Sequence, residues 1–90
     1  MKKIKPCIIG LGYVGLPVFL SLNRKFNVIG YDKNKNRVKD LKQSIDTNNE
    51  FNKEDFKLKK KSLITSDKND LKEANFYIVT VPTPIKKKKV

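Results

Sequence analysis

The feature that most constrains the fold is a glycine-rich stretch directly behind a short apolar run near the amino terminus. Ile4–Ile9 is mostly apolar, as expected for a strand buried on both faces of a parallel sheet. The next six residues, GLGYVG at 10–15, follow the pattern G-x-G-x-x-G. Val14–Asn23 then predicts a helix, and Val28–Tyr31 predicts a second strand that ends at Asp32. This order predicts a βαβ unit that binds a dinucleotide.

Each small or main-chain group in this stretch has a physical role in such a unit. Gly10 makes the tight turn out of the strand, and Gly12, without a Cβ, lets the backbone approach a diphosphate closely. Gly15 allows the helix to pack tightly on the strand. The free N–H groups near Tyr13 and Val14 are expected to point at the phosphates, whose negative charge the helix dipole favours.

An acidic residue stands where a ribose-binding carboxylate is expected. Asp32 lies 32 − 10 = 22 residues after Gly10, close to the spacing of about 20 that is typical of the acid on an adenosine ribose. A carboxylate there predicts NAD in preference to NADP, because it repels a 2′-phosphate. The cations Lys33 and Arg37 nearby soften that preference.

The basic amino terminus also admits a different interpretation, an export signal. Lys2, Lys3 and Lys5 supply a basic head, and the residues from Cys7 onward supply an apolar middle. Glycines and Pro17 interrupt that middle, however, and no A-x-A-like cleavage site follows. We therefore favour the dinucleotide-binding interpretation and a cytoplasmic location.

Charge and composition argue against nucleic-acid binding and metal binding. The net charge is +12, carried mainly by lysines, with runs at 59–61 and 86–89. The lysines are not interleaved with aromatic residues and no nucleic-acid-binding motif is present, so a solvated surface is favoured over a nucleic-acid-binding one. The sequence has no histidine and a single cysteine, Cys7, which predicts no internal disulfide, no metal site and a buried thiol.

The rest of the chain predicts further alternating elements. These are a helix at Asn34–Ser44, a short helix at Lys53–Lys60 capped by Asn52 and Asp55, a strand at Leu63–Ser66, a turn or short helix at Asp67–Asn75, and a strand at Phe76–Val81. Helical spacing predicts packing for Val14, Val18, Leu20 and Leu22 in the first helix and for Val38, Leu41 and Ile45 in the second. The expected fold is α/β: a Rossmann-like parallel sheet in the order 3-2-1-4, the first half of a dinucleotide-binding domain.

Several segments resemble one enzyme family. IIGLGYVGLP, VIGYDKNKNRVKDL, SLITSD and ANFYIVTVPTPI look like the N-terminal part of the UDP-glucose/GDP-mannose dehydrogenase family, and in particular bacterial UDP-N-acetylhexosamine 6-dehydrogenases of capsule and O-antigen synthesis. The resemblance runs from about Lys3 to Ile85. It implies an NAD-dependent parent enzyme that oxidises the C6 alcohol of a nucleotide sugar twice, to a uronic acid.

The resemblance also implies roles by position. Tyr13 and Val14 match the phosphate-contacting turn, Asp32 the ribose acid, and Arg37 a basic residue beside the adenosine.

The VPTP turn after the fourth strand, with Val81, Pro82 and Thr83, resembles a cofactor contact near the nicotinamide. For Thr83 a turn-stabilising hydroxyl is an equally good interpretation.

The chain departs from the family in length, since family members are several times longer and carry their catalytic residues in later segments. Cys7 lies inside the first strand and does not match the catalytic cysteine. We therefore expect a partial NAD-binding domain at 1–85, a lysine-rich tail at 86–90, no catalytic residue, and no activity on sugars from this chain alone. An uncovered face and an unpaired edge strand further predict self-association or a need for the missing half. A non-catalytic binding or assembly module and, less favoured, a basic nucleic-acid binder are the alternatives.

Overall fold

Four strands and two α-helices alternate along the computed structural model, which describes residues 3–46 and 51–80. The strands are β1 (Pro6–Ile9), β2 (Ile29–Tyr31), β3 (Leu63–Thr65) and β4 (Phe76–Val79), and the helices are α1 (Gly15–Asn23) and α2 (Lys35–Lys42). Two short 3₁₀ helices, Lys53–Phe56 and Lys68–Glu73, precede β3 and β4. All of these elements lie inside or near the predicted ranges. The predicted continuation of the last strand to Val81 lies outside the described residues.

The strands form one parallel sheet in the order β3-β2-β1-β4. In the centre of the sheet, Ile8 pairs with Gly30 on one side and with Ile78 on the other. The predicted order and the Rossmann-like fold class are confirmed. Because all strands run the same way, the carboxyl ends of β1, β2 and β4 meet at one edge of the sheet, where ligands bind in open α/β folds.

Helix α1 packs its apolar side on the sheet through Leu16, Phe19 and Leu20, which are buried. Phe19 lies over Gly30, where an added Cβ would come within 2.8 Å of the ring. The expectation that Val14 packs was wrong: its side chain is 64% exposed. Val14 is the residue before the helix, so its side chain does not share the buried side of α1.

Helix α2 is held at its start by Asn34, whose Oδ1 accepts the N–H groups of Asn36 and Arg37 at 3.0 and 3.1 Å. Val38 and Leu41 are buried as predicted. Ile45 is not: it is 43% exposed. The helix has ended before it, and Ser44 adopts φ 62°, which turns the chain away from the helical path.

The first 3₁₀ helix is shorter than predicted and ends at Phe56, whose side chain is buried. Its predicted cap is present, since Asp55 Oδ2 accepts the N–H of Asn52 at 3.0 Å.

The two faces of the sheet are covered unequally. One face packs against both α-helices and carries the larger core, which includes Ile8, Val28 and Ile64. The other face carries a small cluster of Cys7, Ile29 and Tyr31, against which Leu71 and Ala74 pack from the segment that contains the second 3₁₀ helix. Among the described residues, this second face is therefore thinly covered.

Cys7 is fully buried in the second cluster, as predicted. Burial raises the pKa of its thiol to about 11, because the thiolate would have to form without water around it. Cys7 is therefore a packing residue. None of the helices in the described ranges is long and apolar enough to span a bilayer.

Candidate cofactor-binding site

A cleft of about 620 Å³ lies at the carboxyl ends of β1 and β2. It is lined by Ile9, Gly10, Gly12, Tyr31, Asp32, Lys33, Asn34 and Lys68. Three of the predicted cofactor-binding residues, Gly10, Gly12 and Asp32, are thus brought together on its walls. A second cavity of about 480 Å³ lies between the end of α1 and residues 51–59, away from the glycine turn.

Gly10 forms a sharp bend at the end of β1. Its φ of 102° is in the left-handed region that favours glycine. The bend is tied to both neighbouring strands: the N–H of Gly10 donates to Tyr31 O at 2.8 Å, and its carbonyl accepts the hydroxyl of Thr80 at 2.6 Å. The chain can therefore leave the sheet sharply while its polar groups stay paired.

The other two glycines of the pattern meet opposite surroundings. A Cβ on Gly15 would overlap the carbonyl oxygen of Gly10 and the hydroxyl oxygen of Thr80. A Cβ on Gly12 would meet nothing within 4 Å. Gly15 is therefore required by the packing of the protein itself, whereas the space beside Gly12 is open to a ligand.

The N–H groups of residues 12–14 are available at the start of α1. Within the described ranges, the N–H groups of Gly12, Tyr13 and Val14 donate to no other group. The first turn of α1 carries no acidic side chain, so nothing there competes for these donors. Such unpaired N–H groups, at the positive end of a nine-residue helix, suit an anionic ligand.

Asp32 follows β2 and its carboxylate reaches the glycine turn. Oδ2 accepts the N–H of Leu11 at 2.9 Å, and Oδ1 accepts the N–H of Asn34 at 2.9 Å. A carboxylate has about four acceptor positions, so two main-chain bonds leave room for two hydroxyl donors. The two bonds fix the carboxylate and leave it able to accept further hydrogen bonds.

Arg37 reaches the same turn from α2. Its Nε donates to Leu11 O at 2.8 Å, and its Nη1 pairs with Asp46 Oδ1 at 3.0 Å. Among the described residues it does not line the cleft, whose cationic side chains there are those of Lys33 and Lys68. The side chain thus bonds both to the main chain of the glycine turn and to Asp46.

Four residues at the site were not singled out in the sequence. Thr80 was hidden inside an apolar strand, and Asp46 inside a polar connection that has no periodicity. Lys68 is one lysine among many. Asn34 could have been found, because an Asn before a helical pattern is a recognised cap. Val81, Pro82 and Thr83 lie outside the described residues.

The sequence as a whole matches one family model. Residues 4–90 match the NAD binding domain of the UDP-glucose/GDP-mannose dehydrogenase family. The chain belongs to this family. The matched domain is the NAD-binding domain of these enzymes, so NAD is the cofactor of the domain.

Curated relatives agree with this assignment. The chain is 44% identical to UDP-N-acetyl-D-glucosamine 6-dehydrogenase of Salmonella typhi, over 94% of this chain and 20% of that protein. It is 48% identical to Protein CapL of Staphylococcus aureus, over 89% of this chain and 19% of that protein. It is 36% identical to UDP-N-acetyl-D-mannosamine dehydrogenase of Methanocaldococcus jannaschii, over 87% of this chain and 19% of that protein. The chain thus spans about a fifth of the length of these relatives.

Substitution of Gly15 and of Gly12 by alanine should affect the stability of the fold very differently. Gly15→Ala should lower the free energy of unfolding by about 3 kcal/mol, because the new methyl group overlaps a main-chain carbonyl that cannot move away. Gly12→Ala should change it by less than about 1 kcal/mol, since the site is open and its φ is not left-handed. Urea unfolding followed by circular dichroism measures both. Equal losses in the two variants would contradict the packing described here.

Proposed function

We propose that the chain binds NAD with its diphosphate at the glycine turn and its adenosine ribose at Asp32. The N–H groups of Gly12, Tyr13 and Val14 would hold the diphosphate, and Gly10 and Gly15 shape the turn that presents them. Asp32 would accept hydrogen bonds from the ribose hydroxyls. When bound, NAD supplies a hydride acceptor.

One observation supports this proposal most strongly: the hydrogen bond of 2.9 Å from Leu11 N–H to Asp32 Oδ2. It joins the carboxylate expected to hold the ribose to the turn expected to hold the phosphates. The two groups are neighbouring parts of one dinucleotide, so a single ligand can span them. Neither the glycine pattern nor the acidic residue alone would indicate that one ligand contacts both.

The charges at the site favour NAD over NADP. Asp32 would repel a 2′-phosphate on the ribose that it holds. Arg37 does not offset this repulsion, because two of its donor nitrogens are already bonded to Leu11 O and Asp46. Within the described part of the chain, Lys33 and Lys68 are the cations that line the cleft.

Beyond the described residues, we propose that Val81, Pro82 and Thr83 contact the cofactor on its nicotinamide side. β4 ends at the same edge of the sheet as the glycine turn, which supports this placement. The domain would extend over residues 1–85, and 86–90 would form a lysine-rich tail.

For the larger protein we propose a nucleotide-sugar 6-dehydrogenase of polysaccharide biosynthesis, such as capsule synthesis, that works in the cytoplasm. The activities for which the relatives are named support a UDP-N-acetylhexosamine as substrate. The 90 residues alone would bind the cofactor and leave sugars unchanged. Among the described residues, the one cysteine is a buried packing residue whose thiol has a raised pKa. This supports a chain that binds the cofactor without acting on sugars.

Titration with NAD tests the binding proposal. Wild-type protein should bind NAD saturably, and Asp32→Ala should raise the Kd about 10- to 100-fold, because hydrogen bonds to a charged carboxylate contribute about 1.5–3 kcal/mol each. Gly12→Ala should weaken binding by filling the space beside the turn. Isothermal titration calorimetry measures all three, and NADP should bind more weakly than NAD.

Asp40→Ala is the matched control for this titration. It removes a carboxylate from α2 that does not line the cleft, so its Kd should equal that of the wild type. No binding at millimolar NAD would contradict the proposal and favour a non-catalytic assembly module.

We further propose that the chain self-associates through the β4 edge. Phe76, Tyr77 and Val79 are each about half exposed or more, and no described strand pairs with the outer edge of β4. An edge strand with apolar side chains and free main-chain groups is a template for pairing with another chain.

Sedimentation velocity tests this association. The mean sedimentation coefficient of the wild type should rise over about a hundredfold range of protein concentration, whereas Val79→Lys should remain a monomer because a charge blocks the edge. Ile45→Lys, which charges an exposed apolar residue after α2, should behave as the wild type. A wild-type monomer at every concentration would contradict the proposal.

A further inference from the structure

The segments that lead into the four strands meet at the edge of the sheet opposite to the cofactor cleft, because all four strands are parallel. Hydrogen bonds hold these segments together. The N–H of Lys61 donates to Asn27 Oδ1 at 3.3 Å, and the N–H of Asn75 donates to Lys5 O at 3.0 Å. This edge, called here the amino edge, consists of residues 3–5, 23–28, 57–62 and 73–76.

Positive charge is concentrated at the amino edge. Its cations, of which all but the half-buried Lys5 are exposed, are Lys3, Lys5, Arg24, Lys25, Lys57, Lys59, Lys60 and Lys61. Within the described ranges, none of them forms an ion pair. The acids at this edge and in the neighbouring 3₁₀ helix are fewer: Glu54, Asp55 and Glu73. The amino edge therefore carries a net positive charge.

The opposite edge of the sheet, which holds the cofactor cleft, is different. The cations at its surface are balanced by acids that follow β2 and β3. The cations there are Lys33, Lys35 and Lys68, and the acids are Asp32, Asp67 and Asp70. Arg37 and Asp46 form an ion pair and add no net charge. The positive charge of the described residues is thus distributed unevenly between the two edges.

Exposed apolar side chains stand among the cations of the amino edge. Ile4 precedes β1 and is 57% exposed, and Phe76 begins β4 and is 54% exposed. Together with Phe26 they border a small apolar cavity of about 160 Å³ at the amino ends of β1 and β4. The edge therefore combines charge with apolar surface.

This combination matches the chemistry of an anionic lipid surface. Lysines near a bilayer are attracted to the headgroups of acidic phospholipids. Apolar side chains beside them can enter the boundary between headgroups and acyl chains. A nucleic acid matches less well, because the aliphatic Ile4 has no counterpart on a phosphate backbone and Arg24 is the one arginine of this edge.

We propose that the amino edge is a docking surface for the anionic face of a membrane. The proposal goes beyond cofactor binding and does not depend on it. A domain docked in this way holds its cofactor cleft on the side away from the bilayer, since the cleft lies at the carboxyl ends of the strands. The cleft thus stays open to solvent while the protein is bound.

Cosedimentation with lipid vesicles tests the proposal. The wild-type protein should bind vesicles of phosphatidylcholine and phosphatidylserine at least about tenfold more tightly than vesicles of phosphatidylcholine alone, and high salt should weaken the binding. Lys60→Glu should lower the partition coefficient on the mixed vesicles roughly tenfold, because it replaces an attraction by a repulsion. Ile4→Ser should lower it roughly threefold, because less apolar surface leaves water.

Lys35→Glu is the matched control. It changes the net charge by the same amount as Lys60→Glu, but it lies at the start of α2 on the opposite edge, and its partition coefficient should stay within about twofold of the wild type. Circular dichroism verifies that each variant is folded. Equal losses in Lys60→Glu and Lys35→Glu would overturn the proposal, since net charge and not the amino edge would then decide binding.

Two other outcomes would also overturn it. One is equal binding to vesicles with and without phosphatidylserine. The other is binding of duplex DNA without binding of the mixed vesicles, which would make the amino edge a nucleic-acid-binding surface.

Discussion

The peptide group between Gly10 and Leu11 is the constraint on which the rest of the site depends. Its carbonyl accepts the hydroxyl of Thr80 at the end of β4, and its N–H donates to Asp32 at the end of β2. One peptide thereby joins the carboxyl ends of three parallel strands. If it rotated, the bonds to Thr80 and Asp32 would be lost and residues 12–14 would point elsewhere. The geometry of the glycine turn is thus a property of the sheet edge as a whole.

The packing around that peptide explains why glycine stands at two further positions. Gly15 lies so close to Gly10 O that no side chain fits, and Gly30 lies under the ring of Phe19. These contacts bring α1 close to the sheet, which places the start of the helix beside the bend. Among the described residues the sheet is covered by helices on one face and thinly on the other, and exposed apolar side chains lie along β4. Both features are consistent with a domain whose family members are about five times longer.

Local patterns in the sequence were enough to predict the strand order, the glycine bend and the position of Asp32. They succeeded because each depends on short-range spacing: apolar runs for strands, glycines for the turn, and the length of one βαβ unit for the acid. The failures at Val14 and Ile45 have a shared cause. Both residues fit a helical repeat, but the helix begins after the first and ends before the second. Helix boundaries depend on turn geometry that an apolar repeat does not contain.

The bonds made by Arg37 and Thr80 could not be predicted in the same way. Each joins residues that are far apart in sequence, and neither is part of a repeating pattern. Leu11 and Arg37 are separated by 26 positions and Gly10 and Thr80 by 70. Arg37 was expected beside the adenosine by resemblance, and its bonds to Leu11 O and Asp46 were not foreseen. Such polar contacts depend on the assembled fold, so the sequence does not indicate which side chains bond to the glycine turn.

The most direct test of this account is a map of backbone amide shifts in the 90-residue protein during titration with NAD. The amides of Gly12, Tyr13 and Val14 should shift most, together with those of Leu11 and Asn34, which are bonded to Asp32. Shifts concentrated instead around the second cavity, at the end of α1 and residues 51–59, would contradict the claim that the glycine turn and Asp32 form the cofactor site.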